Sequence, residues 1–357
     1  MDVRKIQLSP EDLRFVPPRF PEDAVAERVV EQYGLTGPMS PLEGERDQNY
    51  WLKPEDSGQK SHTEYVIKIA SQHEDAEVID FQLQALRHIE QQDPSLGVPR
   101  LLLTKDQELT THIRDQNGQP HILRILEYLP GIPFGDSHPS SKGFEQIGRF
   151  QGRLSLALTD FKHPQSRHFM PWDISNGLVF NEPLLHQASP EARSMAQKFL
   201  PHLDSVTFPA MHSCRRQVIH NDCHAGNLLR ANKETDEVTG VIDFGDIIGA
   251  PLVQDMAVSM AGFLVYESEP LPVLGSILKG YHQIYPLNKE EVALIGDLVI
   301  MRLVLTLLLF DFRLATHDNP PAFLAEEKPL VMNSLNQLGR LDRQEIINYL
   351  DTCCADT

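Results

Sequence analysis

The stretch from Val218 to Gly249 limits what this chain can become more than any other. Three short apolar pieces, Val218-Ile219, Leu228-Leu229 and Val241-Ile242, alternate with polar loops, a pattern too brief and too interrupted for a helix. It predicts a strand, an acidic loop, a short strand, a turn over Lys233 to Thr239, another short strand and a second acidic loop. The first loop carries His220, Asn221 and Asp222, with Asn227 five residues beyond Asp222. The second is Asp243-Phe244-Gly245-Asp246. A carboxylate beside an Asn, with another carboxylate on a neighbouring loop, suits phosphoryl transfer: one Asp aligns the attacking hydroxyl, while the Asn and the other Asp hold magnesium. Asp222 and Asp243 as a glycosidase pair is the competing chemistry, but Asn227 and a lysine-bearing strand have no evident work there. His220 is either a base or a brace bonding backbone, and the loop favours the brace.

The rest of the chain must bury this stretch. At 357 residues it is long for one domain, and two lobes are expected. A formal charge of -18 argues against nucleic acid and against anionic membrane surfaces. It suits a small cationic or zwitterionic substrate, with magnesium easing the approach of an anionic nucleotide. Cys214, Cys223, Cys353 and Cys354 show no metal-ligand spacing and read as free thiols in a reducing cytoplasm. The N-terminus has no apolar signal region. The longest apolar run, Leu298 to Phe310, contains Arg302 and falls short of the roughly 20 residues of a membrane span, so it reads as a buried core helix.

Residues 1–22, rich in proline and charge, form an N-terminal arm. A helix opens at Pro21-Glu22-Asp23 and stops at Gly34. Pro41 to Leu52 reads as a hairpin with Gly44 in its turn. Glu64 to Ala70 is a strand by alternation, with Tyr65, Ile67 and Ile69 on one face and Val66, Lys68 and Ala70 on the other. Asp75 to Glu90 is an amphipathic helix, and Val98 to Leu102 and His121 to Leu126 are further strands. Pro130-Gly131 breaks regular structure and marks a lobe boundary, giving lobes at 23–129 and 130–357. Beyond it, Phe144 to Leu158 is helical, and Gly148 and Gly152, one turn apart, permit close approach of another helix. Glu290 to Leu314 is the strongest apolar helix.

With these residues in view, the chain resembles the aminoglycoside phosphotransferase and choline kinase superfamily. His220 to Asn227 matches its H-x-D-x-x-x-x-N catalytic loop, and Asp243 to Asp246 its metal-binding segment. Gly44 to Asn49, Tyr65 to Ile69 and Val78 to Gln82 are similar to hydroxylysine kinases and to the phosphotransferase domain fused to class III aminotransferases. The resemblance implies an α+β, bilobal protein-kinase-like fold, with a small antiparallel-sheet N-lobe and a larger, mainly helical C-lobe. It implies that Asp222 orients the substrate hydroxyl, that Asn227 and Asp243 ligate magnesium, and that Lys68 meets the phosphates of ATP or GTP with Asp80 holding it. Gly44, Arg46 and Asn49 would cover the phosphates, and Glu127, Tyr128 and Leu129 would meet the base through their backbone. Asp246 would take a second metal or brace the loop.

The chain departs from the pattern at four places. Its hairpin has one glycine, Asp80 stands for the commoner Glu, and Asn221 and Cys223 occupy positions of a small and an apolar residue. None removes a catalytic function. The acceptor must be read from the C-lobe. Trp172 with Asp173 can hold an ammonium group, His224 lies near the same loop, and Arg302 requires an anion, either a substrate carboxylate or an acid such as Asp297 or Asp255. The expectation is a small-molecule kinase, monomer or homodimer, acting on a hydroxylysine-like amino alcohol. Choline, ethanolamine, homoserine, a sugar or an aminoglycoside are alternative acceptors, and a nucleotide-binding pseudokinase regulator is the alternative outside catalysis.

Overall fold

A computed structural model describes residues 17–44, 46–55, 63–176, 182, 184–317 and 320–355. Most of the expected arm, residues 1–16, lies outside them, as does Glu45 at the hairpin tip. The chain divides into two compact units at Pro130/Gly131.

In the first unit, antiparallel strands run in the order β1 (Met39–Leu42), β2 (Gln48–Leu52), β3 (Tyr65–Ile69), β6 (Pro120–Glu127) and β4 (Leu101–Leu102), with β5 (Thr111–Arg114) also on β6. Pro41 sits on the edge strand, where a missing N–H costs no ladder bond. The alternation expected of β3 holds. Tyr50, Leu52, Ile67, Ile69, Leu123 and Ile125 pack with Val25, Val29 and Tyr33 of helix α1 (Glu22–Tyr33). Phe20 joins this core, its backbone exchanging hydrogen bonds with the Gln48 amide at 2.8 and 2.9 Å. On the opposite face, Ala70 meets Ile79 and Leu83 of helix α2 (Ala76–Gln92). Asp75 caps α2 by accepting the Glu77 N–H. Of the expected strand from Val98, only Leu101 and Leu102 pair. Strand β5 was not expected, because it offers only two inward positions, Thr111 and Ile113.

The second unit is mainly helical: α3 (Ser141–Ala157), α4 (Pro190–His202), α5 (Leu252–Leu264), α6 (Pro270–Ile284), α7 (Lys289–Thr316), α8 (Ala322–Leu338) and α9 (Arg343–Ala355). The glycines of α3 do what their spacing implied. A Cβ on Gly148 would fall 2.0 Å from the Ile277 carbonyl oxygen of α6, and one on Gly280 of α6 2.0 Å from the Glu145 oxygen of α3. Helix α7 is long and apolar enough to cross a membrane, but 83% of its most apolar window is buried inside the protein, which makes it a core helix. Asn288 and Glu291 close a reciprocal capping box at its start.

Two small ladders hold the acidic loops. Strand β8 (Arg216–Ile219) pairs with β11 (Ile248–Pro251), Ile219 opposite Ile248. Strand β9 (Leu228–Arg230) pairs with β10 (Val238–Val241) and with β7 (Ile132–Pro133). The strand-loop-strand order read from Val218 to Gly249 is therefore the observed one.

Candidate active site

The loop between β8 and β9 is tied to the loop after β10 by a pair of bonds. His220 Nε2 lies 3.2 Å from the Ile242 carbonyl oxygen, and the Ile242 N–H donates to the Asn227 backbone carbonyl oxygen at 3.0 Å. The Asp222 N–H donates to His220 Nδ1 at 3.2 Å, so Nδ1 is the acceptor and Nε2 carries the proton. Burial lowers the His220 pKa despite nearby Asp222 and Asp243, and an edge-on Phe244 ring at 4.6 Å completes its enclosure. A neutral, doubly bonded imidazole is a brace and not a base.

Asn221 adopts φ 64°, a left-handed conformation that Asn tolerates better than most side chains. This explains why a small residue was expected there. Its N–H donates to Asp255 Oδ1 at 2.7 Å, and its side-chain oxygen accepts from Gln254 Nε2 at 2.9 Å. Both partners are on α5 and fully buried. Asp255 thus anchors the loop from beneath, and burial pushes its carboxyl up to about 6 although the Asn221 and His220 N–H groups oppose this. Cys223 is fully buried as a small apolar residue.

Asp222 emerges from this platform with donors around its carboxylate. Asn227 Nδ2 donates to Oδ2 at 2.8 Å, His224 Nε2 lies 3.5 Å from Oδ2, and Arg302 Nη2 lies 3.4 Å from Oδ1. Burial alone would raise its pKa, but His224, Arg302 and His220 outweigh burial and hold the carboxyl below its usual range. A carboxylate so held aligns a hydroxyl better than it removes a proton from one. His224 is not a freely solvated side chain. Its ring leaves no room for a Cβ on Gly226 (2.7 Å) or, at its own Cβ, on Gly262 (2.6 Å), and its Nδ1 accepts the Gly226 N–H.

Arg302 reaches this cluster from α7. Its Nη1 donates to the Trp172 carbonyl at 2.8 Å, and its guanidinium lies over the Trp172 ring at 4.9 Å. The acids expected as its structural partners are engaged elsewhere: Asp255 under the loop, and Asp297 with Thr207, His202 and Arg343. At Trp172 and Asp173, where an ammonium site was expected, both side chains have partners within the chain. Arg302 covers a face of the indole, and Asp173 is turned inward, accepting from Ser175 and from Gln254 Nε2 at 2.8 Å. Asp173 positions Gln254, which positions Asn221.

Asn227 spends its side-chain nitrogen on Asp222, so a cation here would meet its side-chain oxygen. Asp243 is an exposed carboxylate at φ 62°, one oxygen accepting the Gly245 N–H. Both are hard oxygen donors suited to magnesium. Among the described residues no three His, Cys, Asp or Glu side chains gather into a metal cluster, so a cation held by Asn227 and Asp243 requires further oxygens from water or phosphate. Asp246 is buried in the turn after Asp243.

In the first unit, Asn49, Lys68 and Arg124 lie in one row across β2, β3 and β6. Lys68 Nζ is 3.4 Å from Asp47 Oδ2, an acid the sequence placed only in the hairpin. Asp80 is exposed on α2 and accepts from Gln84. Gly44 admits Asn49: a Cβ there would sit 2.2 Å from Asn49 Nδ2, which reaches the Glu43 oxygen. Arg46 lies partly exposed beside this turn. The Glu127 and Tyr128 amides already donate to the Arg100 and Glu64 oxygens at 2.8 Å, which narrows an amide contact with a base to Leu129.

Known proteins share the fold that carries these residues. A hydroxylysine kinase of Danio rerio is 22% identical over 341 residues, spanning 92% of this chain and 94% of that protein. Among solved structures, an amicoumacin kinase in complex with AMP-PNP and Ca2+ superposes with a TM-score of 0.68 at 18% identity, covering 91% of this chain and 97% of that one. A microcompartment-associated aminopropanol kinase gives 0.67 at 17%, covering 93% and 99%. Both share the kinase-like fold. The profile of the phosphotransferase enzyme family matches residues 39–292, and the chain belongs to that family as a small-molecule kinase.

Proposed function

We propose that this kinase moves the γ-phosphate of ATP or GTP to the hydroxyl of a small amino acid or amino alcohol, hydroxylysine-like, with magnesium. The observation that carries the reading is the Asp222 carboxylate fixed between Asn227, His224 and Arg302. Phosphoryl transfer through a loose transition state needs positioning and charge neutralisation more than covalent help. Asp222 accepts the hydroxyl hydrogen bond and orients the oxygen. Lys68 pairs with phosphate oxygens. Asn227 and Asp243 would hold magnesium, which when bound supplies neutralisation of the phosphate charge.

Arg302 speaks to the acceptor. It is a buried cation beside the reacting carboxylate in a chain of net charge -18, a place where a substrate carboxylate gains a partner. The relatives named for hydroxylysine and aminopropanol support an acceptor with an amine near its hydroxyl. A carboxylate anchor favours the amino acid over choline, ethanolamine or a sugar. The pseudokinase alternative has no observation in its favour, since Lys68, Asp222, Asn227 and Asp243 are all present.

The test is turnover with 5-hydroxylysine, homoserine, ethanolamine, choline, a hexose and an aminoglycoside, each with ATP and with GTP. Preference for an acceptor bearing both amine and carboxylate, lost selectively in Arg302→Met through KM, is the expected result. Equal turnover of ethanolamine and hydroxylysine would remove Arg302 from recognition.

A further inference from the structure

Lys68 and Arg124 face each other directly across β3 and β6, on the face opposite the α1 core. Like charges in that register repel unless an anion lies between them. Asp47 is that anion. Its Oδ2 is 2.7 Å from Arg124 Nη2 and 3.4 Å from Lys68 Nζ. The cluster is sheltered: side-chain exposure is 6% for Arg124, 10% for Asp47 and 17% for Lys68. Arg124 is not satisfied by it. Its Nη1 is buried and finds no hydrogen-bond partner among the described residues. A guanidinium with one edge paired and another empty is half of a fork that a second anionic oxygen can fill.

Asp47 belongs to the turn that begins β2, and its backbone is not locked into the β2–β3 ladder, which starts at Gln48. The carboxylate is therefore carried by a short connection, while the two cations are carried by central strands. Strand-borne groups are fixed more firmly than those on a turn. The cluster sets two strand-borne cations against a carboxylate carried on a turn.

We propose that Asp47 is a built-in stand-in for a nucleotide phosphate. Without nucleotide its carboxylate holds Lys68 and Arg124 together. The polyphosphate displaces it, and Arg124 joins Lys68 as a second phosphate-binding cation. This rests on the phosphotransferase reading and adds to it a competitor and a second cation. It also gives the single-glycine hairpin a role in setting nucleotide affinity, through the acid at its end and not through backbone amides alone.

The experiment uses the full-length protein and measures displacement of a fluorescent ATP analogue by ATP, and by inorganic tripolyphosphate as a base-free probe, alongside thermal melts. Asp47→Asn is expected to bind both about tenfold more tightly, the effect of removing one competing charged hydrogen bond. Arg124→Met is expected to bind both about tenfold more weakly. Asp47→Asn should melt lower than wild type alone, yet gain more from added nucleotide. Asp47→Ser serves as a second variant should the first fold poorly. Unchanged or weaker binding in the Asp47 variants, or wild-type binding in Arg124→Met, overturns the proposal. Lower melting of Asp47→Asn with no tighter binding also overturns it, since Asp47 then only separates two cations. A wild-type protein that binds no nucleotide would instead overturn the phosphotransferase reading beneath it.

Discussion

The loop around Asp222 and the hairpin end around Asp47 each place an acid among cations, but they are built differently. Asp222 stands on a platform of buried anchors: His220 bonded on both ring nitrogens, Asn221 pinned to Asp255 and Gln254, and Asn227 folded back onto the carboxylate. Asp47 has Lys68 and Arg124 as ion-pair partners and leaves an arginine nitrogen unfilled. On the proposed reading, the first acid is held ready for a reaction whose geometry cannot vary. The other occupies a place a ligand can take. Fixing a reacting group before substrate arrives spares that cost during turnover, whereas affinity is adjusted by what the ligand must displace.

The sharpest test of this contrast is at the loop. Asp222→Asn and Asp243→Asn should each lower kcat on the order of hundreds-fold or more, with nucleotide binding kept in the first. Wild-type turnover in either, measured as product formed, would place the chemistry elsewhere. Lys68→Met should follow, with its loss of kcat/KM expressed for the nucleotide and not for the acceptor, by roughly tenfold to a hundredfold for one charged contact.

Asp255→Ala is expected to cost about 1–3 kcal/mol by leaving the Asn221 N–H buried without an acceptor, and to lower kcat through the loosened loop. Asp255→Asn keeps an acceptor and should cost far less. The pair also has a pH signature. Asp255 titrates at about 6 when folded, above its ordinary value of 3.8. The folded state therefore holds the extra proton between those values. The stability this group contributes is complete below pH 3.8 and is lost as pH rises through about 6. The gap in unfolding free energy between wild type and Asp255→Asn should shift against wild type over that window, by on the order of 2–3 kcal/mol at most. A gap independent of pH would mean that Asp255 stays ionised.

The smallest effect is expected from Arg302→Met in its acid limb. Arg302 helps hold the Asp222 carboxyl low, so its removal moves the acid limb of kcat/KM to higher pH. An unmoved limb, with KM alone changed, would make Arg302 a substrate contact only.

Much of this arrangement is legible in the sequence where physics is local. Alternation in Tyr65 to Ile69 places Lys68 opposite the core, Gly148 and Gly152 predict a close helix pair, and the interrupted apolar pieces from Val218 to Gly249 predict the strand-loop-strand order that forms. What escapes is partner choice over long separations. Asp255 is one acid in an apolar helix, and nothing local says that it faces Asn221, 34 positions earlier, and not Arg302. Asp47 meets Arg124 across 77 positions. Asp173 looked available because it follows an aromatic at a break in the chain, but its oxygens turn to Ser175 and Gln254. Strand β5 escaped because two inward residues are too few to show a period.

One bond has a consequence for how the two acidic loops move. The Ile242 N–H donates to the Asn227 oxygen, and the Ile242 oxygen meets His220 Nε2. A single peptide unit on each side of Ile242 thus stitches the loop that carries Asp222 and Asn227 to the one that carries Asp243. The Ile242 amide proton can exchange with solvent only when that stitch opens. Its exchange rate is then a clock that counts how often the catalytic arrangement comes apart, one residue reporting on both loops at once.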